Sequence, residues 1–218
     1  MALPIFRTQP LIAPQQPTLP APLSAYDSRY QEQFNNILRL YFNQLQNFNQ
    51  LFTTNTGGGL LQFPYGAFSS YVDQTTTANT ATKLLMEQTD FSNGVTAPSS
   101  QITTAIPGIY NLQFSVQVQN LQNSPQDIFI WLKQNGTDVA GSTGLIGLPA
   151  RKDPADPAHD IKGWNFFLSM NANDYVELYW SVEDALVTIQ FYPASGTPTK
   201  PSTASVVATM QFVSALPT

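Results

Sequence analysis

Cysteine is absent from the 218 residues, histidine occurs once, and only 11% of the side chains are charged. Each shortage excludes something. Without thiols there is no disulfide framework and no thiolate zinc site. With His159 as the sole histidine, a Ser-His-Asp triad would depend on that one position, and a metal site would lack its usual nitrogen ligands. Nine Lys and Arg against 14 Asp and Glu give a net charge of -5. No basic footprint for nucleic acid is visible. No run of about 18 apolar residues occurs, so no helix is expected to insert in a membrane. The first ten residues contain Arg7 but no apolar stretch long enough for a secretory leader. If the protein acts outside a cell, release by lysis is expected, as virus particles leave bacteria.

Neutral polarity takes the place of charge. Ordinary soluble domains are about 25% charged, whereas Gln, Asn, Thr and Ser supply the polar surface here. Such a surface suits a large assembly or an extracellular setting. Pro4, Pro10, Pro14, Pro17, Pro20 and Pro22 crowd residues 1–23, six of the chain's 17 prolines. Proline fixes φ and removes a donor, so this stretch reads as extended, with polyproline character. A solvated tail would fit that composition. Leu3, Ile5, Phe6, Leu11 and Ile12 are too apolar for one. The reading adopted is an arm that orders on a partner, with Ile5, Phe6, Leu11 and Ile12 as its anchor. Proline reduces the entropy lost on docking.

Residues 24–53 read as a helix. Ser24, followed by Asp27, gives a start like a capping box. Phe34, Leu38, Tyr41, Leu45, Phe48 and Phe52 fall at steps of 4, 3, 4, 3 and 4, which is the a/d pattern of a coiled coil. Tyr30, Ile37, Phe42 and Leu51 widen the stripe. From Ser28 to Phe52 only Arg29, Glu32 and Arg39 are charged. A monomer's surface helix would carry Lys and Glu outward, so this one is expected to meet copies of itself. Its aromatic seam and broad flank favour more than two helices. Residues 54–63, with Gly57, Gly58 and Gly59, read as a hinge. They are no phosphate loop, because no Lys-Ser/Thr follows and no strand precedes.

From about residue 64 the signals are those of strands. "IYNLQFSVQVQN" (109–120) alternates, placing Tyr110, Leu112, Phe114, Val116 and Val118 on one face. "DIFIWLKQ" (127–134) runs into Asn135-Gly136, a strong hairpin signal. "AFSSYVDQ", "KLLMEQ", "QITTAI", "GWNFFLSM", "YVELYWSV", "LVTIQFYP" and "ASVVATMQFVSA" supply further candidates. About eight strands separated by turns suggest an antiparallel sandwich, and eight fit a jelly roll.

Taken in order, "IPGIYNLQFSVQVQN", "DIFIWLKQNGTDVAGSTG", "NDYVELYWSV" and "PSTASVVATMQFV" resemble the jelly roll of the tumour necrosis factor and complement-head superfamily. The likeness is to the versions of it found in tailed-phage virion proteins. Pro107-Gly108-Ile109-Tyr110 opens the core strand, Trp131 to Gly136 forms the hairpin, and Asp174 to Leu178 starts the strand opposite. The match covers residues 64–215. "FNNILRLYFNQL" is similar to N-terminal segments of phage structural proteins, those of marine phages (cyanophages among them) in particular. The resemblance implies a homotrimer, in which some of Tyr110, Phe114, Tyr179, Phe191, Tyr192 and Phe212 would line a three-fold axis.

Chemistry is harder to find. His159 sits in "ARKDPADPAHDIK" (150–162), which reads as a solvated loop at a tip. Asp153, Asp156 and Asp160 match no calcium-loop spacing, and prolines separate them. The carboxylate pairs Asp174 with Glu177 and Glu183 with Asp184 lack the arrangement of two acids facing across a cleft. Trp131 and Trp180 are expected to alternate into the core and Trp164 to be more exposed. No sugar site, cofactor or metal is assigned.

The sequence therefore yields a mainly β, homotrimeric expectation in parts. These are an anchoring arm (1–23), a helical neck (24–53), a hinge (54–63) and a jelly-roll head (64–218). The expected role is a non-enzymatic phage virion protein, such as a tail fibre or appendage. Its arm would hold capsid or tail proteins and its head would reach a host-surface glycan or protein. The alternative is a capsid decoration, cement or connector protein that never touches the host.

Overall fold

Strand β6 (Gly108–Asn120) is built by alternation. Tyr110, Leu112, Phe114, Val116 and Val118 point inward and none is more than 5% exposed. A strand's period of two puts the intervening Gln, Asn and Ser residues on the other side. In a computed structural model, residues 14–22, 24–53 and 63–217 are described, residues 51–53 as helix backbone alone. The chain divides into two units, Met1–Gln62 and Phe63–Thr218.

The second unit is antiparallel β. Before β6 come β1 (Tyr65–Ser70), β2 (Thr82–Lys83), β3 (Gln88–Asn93), β4 (Val95–Thr96) and β5 (Ile102–Thr104). After it follow β7 (Gln126–Gln134), β8 (Thr137–Asp138), β9 (Gly144–Leu148), β10 (Ala158–Met170) and β11 (Tyr175–Val182). The last are β12 (Val187–Ile189), β13 (Ser195–Gly196), β14 (Thr199–Lys200) and β15 (Val206–Ser214).

Two sheets enclose the core. Among the described residues the first has the order β10-β6-β15-β1-β3, with β12 also on β6. The second has the order β4-β5-β11-β7-β8, with β2 also on β11 and β9 also on β7. β10 pairs along the whole of β6, from Ala158 opposite Asn120 to Met170 opposite Gly108. Facing these, Ile128, Ile130 and Leu132 of β7 and Val176, Leu178, Trp180 and Val182 of β11 are fully buried. Apolar faces from both sheets thus form one core.

Turn chemistry fixes the register. Asn135 (φ 51°) and Gly136 (φ 79°) form the two-residue link between β7 and β8. Positive φ at both positions is the type I′ geometry that matches strand twist. The Asn135 side chain then ties this hairpin to β11. Its Nδ2 donates to Asp174 Oδ1 at 2.8 Å, and its Oδ1 accepts from the Tyr175 amide at 3.0 Å.

The structure redraws several expected boundaries. β10 starts at Ala158, so His159 lies in a strand opposite Gln119 and not in a loop. "KLLMEQ" contributes only Lys83 to a strand, yet Leu84 and Met86 reach the core. "LVTIQFYP" keeps only Val187–Ile189. β3 and β9 were given by no pattern.

In the first unit, α1 (Ser28–Thr53) is the only α-helix among the described residues, 26 residues long. At 1.5 Å per residue it extends about 39 Å. Its N-cap is Asp27 and not Ser24. Asp27 Oδ1 accepts from the amides of Arg29 at 2.8 Å and Tyr30 at 3.4 Å. A carboxylate there satisfies amides that have no partner within the helix and also meets the positive end of its dipole.

Candidate recognition surfaces

On α1 the half-buried positions are Tyr30, Phe34, Ile37, Leu38, Tyr41, Leu45 and Phe48, and the positions between them, through residue 50, are exposed. The heptad stripe is thus one continuous face. The side chain of Phe52 lies outside the described residues, as do the anchor residues Ile5, Phe6, Leu11 and Ile12 and the hinge glycines. Tyr30 and Phe34 stack at 6.4 Å. Leu40 and Phe42 stay 59% and 61% exposed.

The proline segment is not featureless. Pro14, Pro17 and Pro20 are half-buried, while Gln15, Gln16, Thr18 and Leu19 between them are exposed. Three residues per turn is the period of polyproline II, so one edge of the segment is covered. The Tyr30 hydroxyl donates to the Pro20 carbonyl at 3.2 Å, fastening that edge to α1.

In the head, the acidic candidates have structural partners. Asp174, in the turn before β11, accepts from the Asn171 amide at 2.7 Å as well as from Asn135. The Asn171 bond above all, and the Asn135 bond after it, hold its pKa below the usual carboxylate value. Glu177 is buried on β11, with Lys83 Nζ at 3.3 Å and Gln101 Nε2 at 3.1 Å. Asp184 accepts from the Leu186 amide at 2.8 Å and from Gln122 at 2.7 Å, and the neighbouring Glu183 amide donates to the Asp127 carbonyl at 3.3 Å. Asp153 accepts from the Ala155 amide, while Asp156 and Asp160 pair with Lys152 and Lys162. Among the described residues no group of three or more His, Asp or Glu side chains converges. His159 Nδ1 lies 2.8 Å from the Tyr192 hydroxyl. Burial first, and the charge of Asp73 second, push the Tyr192 pKa up.

The aromatics rearrange the expectation. Trp180 is fully buried. Trp164 is half-buried, more exposed than Trp180 as expected, and packs against the core 4.7 Å from the Phe114 ring. Trp131, expected inside, faces outward. Ile128, Ile130 and Leu132 take the core side of β7, so parity sends Phe129, Trp131 and Lys133 to the other face. Tyr179 lies opposite Trp131 and Ser181 opposite Phe129. The Trp131 and Tyr179 rings are 5.9 Å apart. Trp131 Nε1 donates to Asp138 Oδ1 at 2.8 Å, and Lys133 Nζ lies 3.5 Å from the same oxygen. Lys133 Nζ also sits 4.5 Å from the centre of the Tyr179 ring, a cation–π contact.

Beside this cluster is a depression of about 410 Å³ lined by Phe129, Trp131, Asp138, Val139, Thr143 and Ser181. That is the size range of small-ligand sites. Residues 128–132, "IFIWL", are apolar throughout, so the sequence gives the strand but not which of its faces turns outward.

No family model matches the chain, and no curated protein matches it.

Proposed function

We propose that this chain is a non-enzymatic structural protein of a phage virion. It works as a homotrimeric appendage whose arm holds the particle, whose helix forms the neck and whose head faces outward to recognise the host surface. The observation that carries this reading is α1 itself. It is a 26-residue helix with one aromatic heptad face and an outer surface nearly without charge, which suits burial among copies of itself. The strand order supports a jelly-roll head. Setting aside β2, β3, β4, β8 and β12, the sheets run β1-β15-β6-β10 and β5-β11-β7-β9. Numbered in chain order, the eight strands interleave as two Greek keys folded on one another.

Ile5, Phe6, Leu11 and Ile12 are assigned to pockets on a capsid or tail protein. Three arms per trimer multiply a modest single-arm affinity. Deleting residues 2–20 tests the anchor. The shortened protein is expected to stay folded and trimeric but to be missing from particles. Incorporation at normal levels would refute the arm's role. Should the head bind no host cell while its removal weakens particles, the protein is a decoration or connector protein instead.

A further inference from the structure

We propose that the depression on the outer face of the second sheet is a binding site for an uncharged glycan, with Trp131 as its stacking platform. The inference rests on the reading of the head as a host-recognition module and gives that module its site and ligand class.

The Asp138 carboxylate holds the Trp131 indole through Nε1. Asp138 itself is placed by the type I′ turn, which sets it opposite Lys133. A ring pinned at its polar edge has a defined plane, and aromatic faces carry the negative side of their quadrupole. The slightly positive C–H groups on the flat side of a pyranose complement that face. Phe129 extends the apolar floor, and Leu145, 64% exposed, lies opposite Phe129 on β9.

The polar groups then select the ligand. Thr143 Oγ1 and Ser181 Oγ have no hydrogen-bond partner among the described residues, and both line the depression. Asp138 has used Oδ1 on Trp131 and Lys133, and its side chain remains 67% exposed. Its second oxygen is an acceptor for a sugar hydroxyl. Two hydroxyls that both donate and accept, beside one acceptor, match the alcohol groups of a saccharide. Lys133 offsets the charge of Asp138, so the site favours neither anion nor cation. Only one carboxylate lines it, which suits binding and lacks the pair that glycoside hydrolysis uses. Affinity per site is modest for so shallow a depression, and trimerisation raises it through avidity.

The test applies the full-length protein to an immobilised panel of neutral and acidic oligosaccharides, and to intact and enzymatically deglycosylated host cells. Retention on neutral glycans is expected, weakened about tenfold or more by Trp131→Ala. The Thr143→Ala/Ser181→Ala double variant covers the case in which Trp131→Ala fails to fold, and the same loss is expected from it. No retention by any glycan overturns the site, as does binding to acidic glycans alone. Equal binding to deglycosylated cells identifies a protein ligand and also overturns it. Host binding untouched by either variant removes this site while leaving the recognition role in place. Trimer mass and incorporation into particles, which neither variant touches, show separately whether the wider reading fails.

Discussion

Asp174 works by charge. Its carboxylate receives the Asn171 amide and the Asn135 side chain, which join the ends of β10, β7 and β11. These bonds depress its pKa in the folded state. A depressed carboxylate adds stability above its unfolded pKa of about 3.9, and that contribution is lost as pH falls through the folded value. Asp174→Asn is therefore expected to lower Tm at about pH 7, with the gap from wild type closing as pH falls through the folded-state pKa. An unchanged Tm at neutral pH would show that the turn does not use the charge. Trp131 and Trp180 carry the lesson about legibility at this scale. Each lies in an unbroken apolar run, "FIW" and "LYW", where composition gives no parity. Only the register, Tyr179 opposite Trp131 and Trp180 opposite Ile130, separates the outward tryptophan from the buried one. The candidate site was invisible for that reason.

Whole elements were legible where their pattern was long and their ends were marked. β6 alternates over its length, and Asn135-Gly136 marks the β7–β8 hairpin without ambiguity. α1 announced itself through its heptad, although its cap moved from Ser24 to Asp27. β9, "GLIGL", was missed because two of its residues are glycines, which argue against a strand locally. Pairing with β7 overrides that preference. The start of β10 was missed because "AHDIK" is polar, and its partner β6, not its own propensity, makes it a strand. For α1 the prediction concerns assembly. Leu38→Asp or Leu45→Asp puts an unpaired charge in the proposed seam, at about 3 kcal/mol or more for each buried carboxylate. Sedimentation velocity is expected to show trimer dissociating to single chains, with the head's β circular dichroism unchanged. An intact trimer would mean that the head alone sets the oligomer.

At the scale of the molecule, the chain has two units of different kinds. The first offers a long helix with only three charged side chains, Arg29, Glu32 and Arg39, and a proline segment fastened to it through Tyr30 and Pro20. The second is a closed β core carrying a half-exposed aromatic cluster on one outer face. Sequence could supply this division, since a heptad and a set of alternating strands do not share a period. It could not supply the fold-back of the prolines, because a polyproline edge is chosen by what it lies against. Self-association of the first unit is the claim on which neck, avidity and outward display all depend. Light scattering on the full-length protein tests it most directly. The account predicts a mass three times that of the 24.0 kDa chain, and a mass near 24.0 kDa across the working concentration range would contradict it.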